Sequence, residues 1–329
     1  MSPDQWHSME RRETESAERF LKAHAHQRTP RPRGWFAWQY VGNPDGFDVR
    51  VCRDGDSIAG ISGFIPCRLE IDGVVRTGAF STNTVVAPPY RRQGLGRALH
   101  ETRLRDYDCA LSSGQSADNR RLYEQLGFVV CGDYRRVFVQ TTLPTFRFRA
   151  QTLSEWRSWL FWRFWARRRA RAGRAVRVEV ERRAPPDDPT LYGPRFDGLA
   201  VGPRWERSHV VWRYERHPYF THQFASVFDG ENRLGFAVVR KCQAATVLVD
   251  LYGKPANLPL VLRGIADRFR GLITGVFVGS PLDRMFRREG WLTFRAGGQL
   301  MGKSNDPALH RRLSERAWCF FAGDSDSDR

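Results

Sequence analysis

The chain has 329 residues, of which 41% are hydrophobic and 27% charged; this is the balance of a soluble globular protein long enough for two domains with real cores. Its net charge of +17 is almost wholly arginine, with lysine only at positions 22, 241, 254 and 303; such a surface attracts polyanions and disfavours polyamine or aminoglycoside substrates. No apolar run is long enough for a transmembrane helix, the start M-S-P-D-Q-W-H-S-M-E-R-R lacks a signal-peptide core, and the six cysteines form no C-x-x-C, so reduced thiols in a cytoplasm and no metal site are expected.

A first helix is expected over 4–25, ended by T-P-R-P. W-F-A-W-Q-Y at 35–40 reads as a short aromatic helix, and N-P-D-G at 43–46 as a turn. Alternating patterns predict strands over 47–52, 57–71 and 74–86, separated by the D-G turns at 53–56 and 71–74. The third strand runs into V-V-A-P-P-Y-R-R-Q-G-L-G (85–96) and then the helical pattern R-A-L-H-E-T-R-L. A helix start offers free backbone N–H groups and the positive end of its dipole, which suits a phosphate. Gly94 and Gly96 would let a bulky pyrophosphate approach the main chain, and Arg91, Arg92 and Arg97 would surround it with positive charge. A turn that opens a helix and binds nothing has the same ingredients.

An apolar strand follows over 108–113, and then S-A-D-N-R-R-L-Y-E-Q-L-G-F over 116–128. The two pieces, in this order, resemble the GCN5-related N-acetyltransferase (GNAT) family. The resemblance implies an acetyl-CoA site and no metal. Thr84, Val85 and Val86 would pair with the pantetheine arm. Arg91, Arg92, Gln93, Gly94, Leu95, Gly96 and Arg97 would form the pyrophosphate loop. Tyr123 would be the general acid for the departing thiolate, and Asn119 would bond to the cofactor or to the oxyanion. Tyr123 also fits a core aromatic on an amphipathic helix. Many members place a carboxylate on the strand before the loop, but here that strand reads S-T-N-T over 81–84. Glu70 and Asp72 are candidate bases acting through water, and fit equally well as solvated strand residues.

The chain also repeats itself. W-Q-Y-V-G-N-P from Trp38 returns as W-R-Y-E-R-H-P from Trp212, D-G-D-S-I-A-G-I as D-G-E-N-R-L-G-F, and L-Y-E-Q-L-G-F as M-F-R-R-E-G-W. Chance recurrence of aromatic and turn residues is the competing explanation. The second set has no glycine-rich arginine loop, and Phe286 stands where Tyr123 stands. The fold expected is a mixed-sheet α/β protein with two tandem GNAT-like domains, the second lacking the acetyl-CoA loop. The boundaries expected are a catalytic domain at 1–148, a connector at 149–190, a degenerate domain at 191–312 and a tail at 313–329. The connector carries Trp156, Trp159, Trp162 and Trp165, then Arg167–Arg169, Arg171 and Arg174. Two readings stay open for it: peripheral contact with an anionic membrane through 153–174, or a helix buried between domains.

The function expected is acyl-CoA-dependent N-acylation of a small-molecule amine; an amino sugar or nucleotide sugar is the candidate acceptor, and a basic protein suits the phosphates of the latter. The competing reading is a membrane- or polyanion-associated binding protein with a vestigial acyltransferase site. No helix-turn-helix or RNA-binding motif accompanies the charge, so no specific nucleic-acid partner is expected, and oligomeric state is not indicated.

Overall fold

Turn chemistry sets the longest hairpin of the molecule. Strands β3 (Ser57–Ile71) and β4 (Val74–Val86) meet at Asp72–Gly73, and both turn residues have left-handed φ (50° and 78°). Asp-Gly tolerates that geometry, and it matches the twist of the flanking strands. The computed structural model describes residues 6–25, 33–115, 117–138, 176–193, 200–242, 245–269 and 271–321. The connector segment 153–174 lies outside them.

The N-terminal helix is shorter than its pattern predicts. Trp6–Ser8 form strand β1 on the edge of β2 (Asp48–Asp54), and helix α1 occupies only Thr14–His24. Trp6 explains the difference. Its ring packs over Gly60, where a Cβ would come within 2.9 Å of it, and its indole N–H donates to the Leu95 carbonyl at 3.2 Å. Tertiary packing of one large aromatic overrides local helical propensity. The aromatic segment after it forms a π-helix over Ala37–Val41.

Beyond β4 come α2 (Leu95–Arg103), β5 (Cys109–Ser113), α3 (Ala117–Gln125) and β6 (Val129–Phe138). Strand β7 (Arg177–Glu181) begins the second half, followed by β8 (Ala200–Pro203) and the short helix α4 (Arg207–Val210), which continues as a π-helix over Val211–Glu215. Then follow β9 (His222–Asp229), β10 (Asn232–Lys241), β11 (Thr246–Gly253), α5 (Leu258–Arg268), β12 (Leu272–Phe277), α6 (Pro281–Arg288) and β13 (Leu292–Lys303). The series β9-β10-β11-α5-β12-α6-β13 repeats the order β2-β3-β4-α2-β5-α3-β6.

One mixed sheet runs β1-β2-β3-β4-β5-β13-β6-β12-β11-β10-β9-β7. Its centre is an exchange. Strand β13 pairs with β5 of the first half, and β6 pairs with β12 of the second, while β6 and β13 pair with each other. The aromatic helices make a second reciprocal contact. The Trp38 indole donates to the Trp212 carbonyl at 2.9 Å, the Trp212 indole donates to the Trp38 carbonyl at 2.6 Å, and their rings stack. Around this pair a single core joins Tyr40 and Phe36 to Tyr214, Phe236 and Phe277.

Residues 313–321 pack rather than trail. Helix α7 (Pro307–Glu315) is followed by β14 (Ala317–Trp318), which pairs with β8, and Leu313, Trp318, Phe320 and Phe321 are buried. Proline and acidic residues mark 184–190 as a linker by composition, and it has neither helix nor strand. Its first residue, Ala184, and Leu191 and Tyr192 after it are nonetheless buried.

Candidate active site

The site begins where two parallel strands part. Strand β4 pairs with β5 from Gly78 to Ser81, β5 ends at Ser113, and β4 continues to Val86 with β3 as its partner. The backbone of β4 over Thr82–Val86 therefore lines an opening. At Asn83 the strand bulges: φ is 54°, and the register with β3 shifts between Ile61 and Gly63. Tyr40 supports the bulge from below, with the Asn83 amide donating to its hydroxyl. Gly63 makes room for that ring, since a Cβ there would lie 2.1 Å from the Tyr40 oxygen.

A cleft of about 310 Å³ occupies the opening, lined by Phe80–Thr84 of β4, Ser112 and Ser113 at the end of β5, Gly114 and Gln115 beyond it, and Asn119 and Tyr123 of α3. These lining side chains carry no formal charge. Tyr123 is buried among them. Its hydroxyl donates to Ser81 Oγ at 3.0 Å, and its ring lies 4.7 Å from Phe128 and 4.8 Å from His100, edge-on or tilted. Burial raises the phenol above its ordinary pKa, against the hydrogen bonds of Ser112 and Ser81. The group is therefore protonated at neutral pH, as a proton donor must be.

The turn between β4 and α2 is braced on several sides. The Tyr90 hydroxyl donates to Asp54 at 2.7 Å, Arg91 Nε to the Val86 carbonyl at 2.9 Å, and the Gln93 amide to the Pro89 carbonyl at 3.0 Å. Arg92 and Gly94 both have left-handed φ (61° and 80°) on either side of Gln93. Such alternation turns successive N–H groups toward one concave face, a shape that receives anions. A Cβ on Gly94 would meet nothing within 4 Å, so that face is open, while a Cβ on Gly96 would lie 3.4 Å from Leu122, the neighbour of Tyr123. Arg91, Arg92, Gln93 and Arg97 are exposed and Leu95 is buried.

Residues 7–131 match the family model described as the acetyltransferase (GNAT) domain. Over these residues the chain is similar to a GNAT acetyltransferase domain. Its fold is shared by solved structures that extend the likeness over nearly the whole chain. A probable N-acyltransferase from Enterococcus faecalis matches 91% of this chain and 71% of its own, with TM-score 0.63 and 13% identity. A GCN5-related N-acetyltransferase from Anabaena variabilis matches 91% and 72%, with TM-score 0.58 and 13% identity. Eis1 from Mycobacterium abscessus matches 92% and 74%, with TM-score 0.54 and 13% identity. No curated protein matches the sequence.

Within the matched region the structure brings Thr84, Asn119 and Tyr123 to one cleft. Val85 and Val86 continue the β4 edge toward the turn that holds Arg91–Arg97. The candidate bases lie elsewhere. Glu70 faces Val75 across the hairpin, six residues along β4 from Ser81, or roughly 20 Å at about 3.3 Å per residue. It lies 3.9 Å from Arg204, and Asp72 pairs with Arg316 at 2.9 Å and Arg312 at 3.4 Å. Both carboxylates bind arginines of the second half.

Sequence reasoning passed over Ser81, Ser112 and Tyr40. The serines read as ordinary strand residues, and only the meeting of β4, β5 and α3 brings them to Tyr123. In the second half the turn after α6 reproduces the one after α3: Gly290 (φ 78°) matches Gly127 (φ 79°), and Phe286 lies 4.7 Å edge-on to Trp291 as Tyr123 does to Phe128. Phe286 has no hydroxyl and is sealed in the second core. Among the described residues no helix is long and apolar enough to cross a membrane, and no three His, Cys, Asp or Glu converge as metal ligands.

Proposed function

We propose that this chain transfers an acetyl group from acetyl-CoA to the amine of a small molecule, in the cleft between β4 and β5. The observation that carries the reading is the position of the Tyr123 hydroxyl: it opens on a cleft walled by the free edge of β4, one residue from the helix contact that Gly96 makes. The turn suits a pyrophosphate through the left-handed Arg92 and Gly94, the open face at Gly94 and three exposed arginines. In the proposed arrangement the amides of Arg92–Arg97 hold the phosphates, and Thr84–Val86 align the pantetheine arm. Bound acetyl-CoA supplies a thioester carbonyl activated toward attack by an amine. Asn119 donates a hydrogen bond at the cleft mouth, and Tyr123 holds the proton that a departing thiolate requires.

The uncharged lining of hydroxyl and amide side chains favours a hydroxyl-rich acceptor, so an amino sugar is our proposed class, and the basic surface extends this to a nucleotide sugar. We also infer that residues 191–312 are a second copy that has lost its cofactor loop. The reciprocal Trp38–Trp212 bonds and the matched turns at Gly127 and Gly290 support the duplication, and Phe286 in place of Tyr123 supports its inactivity.

Calorimetric titration with acetyl-CoA tests the reading, with Gly96→Glu as the control. A side chain there meets Leu122 and brings negative charge to the phosphate turn. Binding by the wild type that the variant abolishes is the expected result, followed by thiol release with amino-sugar acceptors. An absence of binding by the wild type refutes the acetyl-CoA site.

A further inference from the structure

The cleft raises a question of proton balance. Amine acylation forms one C–N bond and breaks one C–S bond; one proton must leave nitrogen and one must reach sulfur. Tyr123 accounts for the second. For the first, the described residues lining the cleft include no Asp, Glu, His or Lys, and Glu70 and Asp72 are held by arginines at the far end of the hairpin. His100 is buried behind the Tyr123 ring and is not among the lining residues.

What the lining does hold, in contact with Tyr123, is a pair of hydroxyls. Ser81 Oγ lies 3.0 Å from Tyr123 Oη, and Ser112 of β5 lines the cleft beside them and acts to lower the pKa of the same phenol. The two serines are partners across the last rung of the β4–β5 ladder, at the point where the strands part. A serine hydroxyl can accept one proton while donating another, and its hydrogen rotates freely enough to do so.

We propose that Ser81 takes the acceptor's proton and relays it to Tyr123, so that the cleft works without a separate base. The inference rests on the acyltransferase reading above. As the C–N bond forms, nitrogen gives its proton to Ser81 Oγ, the Ser81 hydroxyl proton passes to Tyr123 Oη, and the Tyr123 proton goes to the sulfur that leaves. Each hydroxyl ends as it began, no group changes oxidation state, and nothing beyond the two substrates is consumed.

The test uses Ser81→Ala, Ser81→Thr, Tyr123→Phe and the double variant Ser81→Ala/Tyr123→Phe in the full chain. Thiol release from acetyl-CoA with glucosamine as the probe amine gives the rates. The Tyr123 ¹³Cζ resonance, assigned by its loss in Tyr123→Phe, reports the hydrogen bond without any acceptor. Ser81→Ala is expected to lower kcat about tenfold or more with the KM for acetyl-CoA unchanged, and Ser81→Thr to retain most of the rate. The double variant should be no slower than Tyr123→Phe alone, because the two hydroxyls act as one unit. Additive losses overturn the relay, and so does an unmoved Tyr123 resonance in Ser81→Ala. A wild type that binds no acetyl-CoA instead refutes the acyltransferase reading. The resonance then decides separately whether Ser81 is the partner of Tyr123.

Discussion

Tyr123 and His222 show how burial sets chemistry one residue at a time. Replacing Tyr123 by Phe keeps the ring against Phe128 and His100 but removes the only phenol among the described residues that line the cleft. Thiol release should fall about 10²- to 10⁴-fold, the usual range for a general acid, with the fold intact by circular dichroism. His222 instead governs stability. Its Nδ1 faces the Tyr214 carbonyl at 3.1 Å, and burial, reinforced by Arg240 and Arg213, lowers its pKa to about 4. The unfolded chain binds that proton near pH 6.5, whereas the folded chain does not until about pH 4. Between those values the unfolded state carries more protons, so stability should fall as the pH falls, by up to about 3 kcal/mol at the acid end. Denaturant melts of the wild type and His222→Gln at pH 7 and pH 4.5 check this; the variant should lose much less on acidification.

Among the elements, the bulge in β4 is the feature on which the cleft most depends. Alanine at Gly63 would put a Cβ 2.1 Å from the Tyr40 hydroxyl and 2.3 Å from the adjoining ring carbon, and Tyr40 is buried too tightly to step aside. Gly63→Ala should cost about 1–3 kcal/mol by overpacking and weaken acetyl-CoA binding through displacement of Asn83. Tyr40→Phe, which removes the bond to Asn83 and keeps the ring, should cost about 1 kcal/mol. Thermal melts and calorimetry on the two variants separate the effects. The elements around this bulge were legible in the sequence to different degrees. Strands over 57–71 and 74–86 are found as predicted, because the Asp-Gly turn and the apolar alternation are local signals. The bulge was not legible, since it arises from Tyr40 meeting Gly63 across 23 positions of chain. Nor was β1: Trp6 is fixed by Gly60 and Leu95, which no periodicity in the first 25 residues reveals. Of the site, Tyr123 and Asn119 stood out by motif. Ser81 and Ser112 are ordinary strand residues until two distant strands are laid side by side.

At the scale of the whole molecule, the exchange of β6 and β13 makes the two halves interdependent. In the first half β5 has β4 on one side and β13 on the other, so without the second half its outer edge is bare. Strand β6 lies between β13 and β12, and both of its neighbours belong to the second half. A fragment ending at residue 148 would therefore leave one edge of β5 and both edges of β6 unpaired and bare the apolar side chains that Phe277 and Phe320 cover, an arrangement that invites aggregation. Phe320 packs 5.5 Å from Phe80 in the wall of the cleft, so the site itself borrows a side chain from near the end of the chain. Fragments 1–148 and 149–329 should each fail to fold alone, and on refolding together should regain one cooperative transition and the acetyl-CoA affinity of the intact chain. Melting curves by circular dichroism, with calorimetry on the recombined pair, provide the check. A sharp independent transition from 1–148 alone would show that the exchange is not needed for folding; Phe320→Ala in the full chain would then show separately whether the second half shapes the cleft.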